Sequence, residues 1–309
     1  MSASSDKRLG GRSIWSKIFI KEGRLRPTLR IIVYGPTYLV VKLVVNSLLH
    51  QFIFNPFSLP DWVLQASTYV MNMACVLLAI YLLRRFLDGR TLSSLGLSRY
   101  RGWLADIAAG IGLGALLELL AFLAKWGGGW LTIDGFAWQS LSAGNLLGGL
   151  ALGCLLFVMV GFNEELIVRG YIMQNLAEDW GMAVAVLTTS VFFGVAHWIF
   201  DPDVNLVSIF SIALGGIFVA YGFLITRSLW LPIALHFSAD FFGAVVFGLP
   251  LAGSLEDFRL LLVSVSGPEL LTGGSFGTTG LIHLGTMLFG IGLLWAWGQV
   301  RSQNKLTPV

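Results

Sequence analysis

Charge is scarce in this chain of 309 residues: Asp, Glu, Lys and Arg together make up only 12%, against about 25% in soluble domains. With 56% hydrophobic residues and a mean hydropathy of +0.78, too little polar surface remains to cover a water-soluble core. A soluble enzyme is therefore excluded, and so is a disordered chain. Cysteine is nearly absent. The two present, Cys75 and Cys154, lie inside apolar runs, which argues against a disulfide framework or a cysteine zinc cluster. Strand-type alternation is missing, as are internal repeats, a P-loop and a dinucleotide fingerprint, so neither a membrane barrel nor a nucleotide-binding domain is supported. What the chain does have is apolar runs of about 20 residues, the length of helix that crosses a hydrocarbon core. Its 11 Trp and 37 Gly suit interfacial anchoring and close helix contact.

The pattern predicts an all-α, polytopic membrane protein with about eight spans. They are placed near 31–54, 62–83, 103–124, 145–162 (its helix running on to about 177), 181–199, 205–226, 230–249 and 281–300. Connectors such as Asn55-Pro56, Gly127-Gly128-Gly129, Asp201-Pro202-Asp203 and Gly273-Gly274 have turn chemistry. The chain divides into a basic segment, 1–30, N-terminal transmembrane helices, 31–124, a membrane core, 145–250, and a final part, 251–309, with an outer loop, a last span and a tail. Placing the N-terminus in the cytoplasm puts 16 of the 20 Lys and Arg on the inner side. Both termini are then cytoplasmic, as the positive-inside bias favours, and a prokaryotic plasma membrane is the expected location. The basic N-terminal segment reads as topogenic and facing anionic lipid rather than nucleic acid, and no cleaved signal peptide is expected.

Ionisable residues inside spans are costly and mark function by default. Here they are Lys42, Asp106, Glu118, Glu164, Glu165, Arg169, His197, His236, Asp240 and His283. Six fall in three short stretches. In the first, Glu164-Glu165 precedes Arg169; adjacent carboxylates point about 100° apart on a helix. Arg169, at i+4, can pair with Glu165, leaving Glu164 to face the bundle interior. The second stretch runs from Phe193 to His197. In the third, His236 and Asp240 are i,i+4 on one helix face, the spacing of metal ligands or of hydrogen-bonded catalytic partners. Spans four and five form a hairpin turning near Trp180. Glu164 lies 16 residues before that turn and His197 lies 17 after it, so both sit about 25 Å from it and the three stretches can converge. Lys42 is read as pairing with Asp106 or Glu118, and His50 and His283 as interfacial. Gly110, Gly112 and Gly114 are read as a close helix contact.

The ordered motifs Glu164-Glu165…Arg169, Phe193…His197 and His236…Asp240 resemble those of the CAAX-protease and bacteriocin-processing (CPBP, Abi-type) family of intramembrane proteases, which includes the type II CAAX prenyl endopeptidases. The segment Leu92-Ser93-Ser94-Leu95-Gly96-Leu97 also resembles one found ahead of the first catalytic helix in bacterial members. The resemblance implies peptide-bond hydrolysis of membrane-associated or lipidated peptides in a polar cavity in spans four to seven. Glu164 and His197 would activate water, His236 and residue 240 would stabilise the oxyanion, and Glu165, Arg169 and Phe193 would support them. Asp240 departs from the asparagine of many members. An ionised aspartate cannot donate to an oxyanion, so it is protonated, orients His236, or binds a cation. The last option keeps open a metalloprotease with Zn²⁺ held by Glu164, His197, His236 and Asp240. The absence of an H-E-x-x-H motif favours a metal-free glutamate mechanism instead, with no cofactor. Two alternatives remain: a catalytically silent immunity or binding protein of the same family, and a proton-coupled carrier using Lys42, Asp106, Glu118 and His283.

Overall fold

The computed structural model describes residues 18–49, 51–52, 59–200, 204–251 and 259–306. Of the features read from sequence, His50, the turns at Asn55-Pro56 and Asp201-Pro202-Asp203, and the first basic residues (Lys7, Arg8, Arg12 and Lys17) lie outside them. The chain is 77% helical, and seven of its described helices are long and apolar enough to cross a bilayer, so this is an all-α integral membrane protein.

Helix α1 (Pro27–Leu49) begins with a proline at its first position, where no intrahelical donor is needed. Helix α2 (Asp61–Leu83) runs into a π-helical turn at Arg84–Asp88, and α3 (Trp103–Gly127) follows. The next rod is continuous: α4 (Ala143–Glu165), a π-helical turn at Leu166–Ile172, and α5 (Met173–Trp180). At about 1.5 Å per residue the rod is far longer than a bilayer core is thick, so its end stands out of the apolar zone. Gly181, at φ +82°, reverses the chain into α6 (Met182–Phe200), and α7 (Leu206–Thr226) follows. The seventh expected span proves short. Helix α8 (Trp230–Asp240) ends in a third π turn, Phe241–Val246, because Gly248 at φ +68° turns the chain where a Cβ would lie 2.0 Å from the Leu261 carbonyl oxygen. A short α9 (Glu269–Thr272) and the long α10 (Gly280–Gln303) complete the helices.

Two small sheets, which the alternation pattern did not announce, stand at opposite ends. Strands β1 (Ile20–Lys21) and β2 (Arg24–Leu25) form one hairpin; β3 (Leu131–Phe136) and β4 (Leu261–Val265) pair antiparallel although helices α4 to α8 lie between them in the chain. The basic connectors gather at the first end. Lys21 bonds Asp179 at 3.0 Å, Gln174 bonds the Leu95 carbonyl, Trp230 bonds the Ser98 carbonyl, and Arg301 bonds the Thr226 carbonyl. The described ends of the chain therefore share one face of the bundle. Gly96, at φ +104°, packs against the α7–α8 turn, where its carbonyl accepts from Leu229 N–H.

The expected pairing of Lys42 with Asp106 or Glu118 does not form. Lys42 lies over the Tyr38 ring of its own helix, 5.7 Å from the centroid. Asp106 is instead taken by Arg301, Trp297 (3.0 Å) and the Tyr100 hydroxyl, tying α3 to α10. Burial and this carboxylate push the Tyr100 phenol above its ordinary range. Nor is His283 interfacial: it is buried and paired with Glu118 at 3.1 Å.

Helices α3 and α8 pack closely through glycines. A Cβ on Gly110 would lie 2.7 Å from the Leu231 carbonyl, and one on Gly114 would lie 2.7 Å from Ser238 Cβ. Gly112, grouped with them in the sequence reading, faces open space. Gly114→Val is therefore expected to destabilise the protein by roughly 1–3 kcal/mol, while Gly112→Ala stays within about 0.5 kcal/mol. Thermal melting in detergent checks this; equal shifts would contradict the contact.

Candidate active site

The first motif occupies the junction between an α-helix and a π-helix. Up to Glu165 the chain is α-helical; beyond it the wider turn closes with Met173 N–H bonding the Val168 carbonyl. π turns of this kind recur at functional sites. Within the turn Arg169 Nη1 meets Glu165 Oε1 at 2.7 Å, with side chains 1% and 0% exposed. The guanidinium also donates to the Gly216 carbonyl of α7 at 3.0 Å and lies 4.7 Å from the centre of the Phe193 ring of α6. One buried cation thus joins three elements.

Glu165 passes this order on to α8. His236 Nδ1 lies 2.8 Å from Glu165 Oε1. An ionised carboxylate only accepts, so Nδ1 carries the proton and Nε2 is turned towards the cavity. There Nε2 stands 3.7 Å from Glu164 Oε2 and 3.4 Å from Asp240 Oδ2. The approach of α4 to α8 depends on Gly161, where a Cβ would be 3.0 Å from Phe237 N. Phe193 packs edge-on against both histidines, at 4.6 Å from His197 and 6.1 Å from His236. His197 Nδ1 lies 2.8 Å from the Phe193 carbonyl, which can only accept, so in the neutral ring Nε2 is an acceptor, and it receives no hydrogen bond among the described residues.

Glu164, His197, His236 and Asp240 line one cavity of about 330 Å³, with Glu165, Arg169 and Phe193 in its wall. Its volume falls in the range of small-ligand sites. Much of the rest of its wall is apolar, including Phe157, Val160, Phe218 and Met287. Glu164 Oε2 is buried and accepts no hydrogen bond from the described residues, nor does Glu165 Oε2. A buried carboxylate oxygen left this way is an acceptor in want of a donor.

Among the described residues, no three His, Cys, Asp or Glu side chains stand in an arrangement that could hold a metal ion. The arrangement thus gives no support to the Zn²⁺ set considered from sequence. Sequence reasoning missed the π turn, which the helical pattern conceals, and the Glu118–His283 pair, which lines the same cavity. The intramembrane cost of both charges was the signal for the pair; their separation of 165 positions hid the contact.

Residues 146–242 match the family model described as Type II CAAX prenyl endopeptidase Rce1-like, a stretch containing all three motifs. No curated protein and no solved structure matches the chain.

Removing the cation from the Glu165–Arg169 pair leaves a buried carboxylate uncompensated. Arg169→Met is expected to cost roughly 3–5 kcal/mol, and adding Glu165→Gln should restore part of it. Thermal melting of the single and double variants in detergent checks the coupling. Additive losses would mean the pair is not the anchor.

Proposed function

We propose that this protein, whose residues 146–242 match the Type II CAAX prenyl endopeptidase Rce1-like model, is an intramembrane endopeptidase. It hydrolyses peptide bonds in membrane-associated, lipidated peptides by a metal-free glutamate mechanism. The supporting observation is the meeting of Glu164, His197, His236 and Asp240, from three helices, in one cavity of a membrane-spanning bundle.

The chemistry follows from the hydrogen-bonding roles. Water lies between Glu164 and the open Nε2 of His197. Glu164 takes a proton from it as the water oxygen bonds to the scissile carbonyl carbon. Negative charge then gathers on the carbonyl oxygen. His236, whose Nδ1 proton is held by Glu165, donates from protonated Nε2 to that oxygen. Asp240, 3.4 Å from Nε2, keeps that nitrogen protonated and aimed, since as a carboxylate it has no proton to give. The tetrahedral intermediate collapses with cleavage of the C–N bond as Glu164 returns its proton to the leaving amine nitrogen. The apolar remainder of the wall takes the lipid or apolar side chains and excludes bulk water.

The test is cleavage of a fluorescence-quenched peptide with a prenylated cysteine near its carboxyl end, using purified protein in liposomes. Glu164→Gln is expected to lower turnover by about 10²–10⁴ with the melting temperature unchanged. His236→Ala should lose on the order of 10²–10³. Asp240→Asn, which keeps a hydrogen-bonding partner beside His236, should retain more activity than Asp240→Leu. Full proteolysis by Glu164→Gln would overturn the assigned role, and no proteolysis by the unaltered protein on any lipidated peptide would favour a silent binding protein. Incubation with o-phenanthroline is expected to leave the rate unchanged; a loss restored by added Zn²⁺ would reverse the metal-free assignment.

A further inference from the structure

The proteolytic cavity contains a second titratable pair that the chemistry above does not use. Glu118 of α3 and His283 of α10 both face it, with Thr278, Thr279 and Ser211 among the nearby wall residues. Glu118 is 6% exposed and His283 1%. The pair borders the π turn that follows Asp240: a Cβ on Gly243, three positions after it, would lie 3.0 Å from Glu118 Oε2.

Its hydrogen bonds restrict what it can do. His283 Nδ1 lies 3.0 Å from the Thr279 carbonyl, so Nδ1 carries a proton. Nε2 faces Glu118 Oε2 at 3.1 Å. Two lone pairs opposed at that distance would repel, so one proton lies between them, as neutral acid with imidazole or as carboxylate with imidazolium. In both forms the pair carries no net charge. In both forms the other oxygen, Oε1, is an acceptor, and it receives no hydrogen bond among the described residues. A mere tie between α3 and α10 is already supplied at the far end of these helices by Asp106 with Arg301 and Trp297.

We propose that Glu118, positioned by His283, is a substrate-recognition subsite of the cavity that accepts a hydrogen bond from an uncharged donor of the bound peptide, a backbone N–H. The donor is uncharged because the pair has no net charge to offset a cation. In addition, Lys125, seven positions along the same helix, is a fully buried ammonium donating to the Gly277 carbonyl. An extended peptide in an apolar cavity carries N–H groups that need acceptors, and an acceptor here fixes which bond reaches Glu164.

This proposal rests on the endopeptidase reading, so its test uses both cleavage and binding. The prenylated fluorescent peptide is prepared as a series, each member N-methylated at one backbone amide. Cleavage is measured with the unaltered protein, and binding is measured by fluorescence anisotropy with Glu164→Gln. One N-methyl position is expected to lower kcat/KM and affinity about tenfold, corresponding to about 1.4 kcal/mol. Glu118→Gln keeps an acceptor at Oε1 and an amide N–H for His283 Nε2, and should preserve that discrimination. Glu118→Leu should cleave and bind the methylated and parent peptides alike. Should Glu118→Leu fail to fold, Gly243→Ala, which crowds the carboxylate, should reduce the same discrimination. A series in which no amide position matters, or in which Glu118→Leu or, failing that, Gly243→Ala keeps the full discrimination, overturns the subsite. If cleavage is absent but anisotropy shows the Glu118-dependent difference, the endopeptidase reading fails and the subsite stands.

Discussion

Almost every feature of the candidate site depends on the buried guanidinium of Arg169. A full charge in a bundle within hydrocarbon is tolerated only if its donors are used, and here they go to Glu165 and the Gly216 carbonyl, while the face lies on Phe193. The cost of leaving any of these unsatisfied fixes α4, α6 and α7 relative to one another. Because the same Glu165 oxygen receives the His236 ring, α8 is drawn into the arrangement too. Glu164, His236 and Asp240, less buried than this frame, are positioned by it.

The fold class was legible because hydrocarbon thickness imposes a length on apolar runs. Seven of the eight expected spans became long helices, and their order and approximate limits follow the hydropathy pattern. The exception, α8, failed on local chemistry: Gly248 and Pro250 turn a run that composition alone would have continued. The two strand pairs were invisible because strands of two to six residues lack a resolvable period.

Legibility of the candidate site was uneven for a related reason. Glu165 and Arg169 are four residues apart, so elementary helix geometry announces their contact, and the structure has it. His236 and Asp240 are within reach on one helix by the same arithmetic. Contacts between distant segments carry no such signature. Lys42 was given to Asp106 or Glu118 because unlike charges in a membrane seek one another, yet Asp106 went to Arg301 and Glu118 to His283. The rule that intramembrane charges pair held for Asp106 and Glu118, whose partners needed the packing, and failed for Lys42, which lies over the Tyr38 ring. That packing rests on glycines whose roles could be told apart only in three dimensions, with Gly110 and Gly114 against backbone and Gly112 against nothing.

The π turn at Leu166–Ile172 has a genetic consequence. A helix that closes one turn with an extra residue is an insertion preserved in the fold. Because the wide turn absorbs the extra residue, losing a single codon there would let the rod revert to regular α-helix with the segments on either side close to their present register. Gln174 would still reach the Leu95 carbonyl, and Asp179 would still meet Thr28 and Lys21. The change would fall within the turn itself, where Arg169 is set against Glu165 and the Gly216 carbonyl. A frame-preserving deletion there should therefore loosen the anchor of the candidate site while leaving the far end of the rod in place.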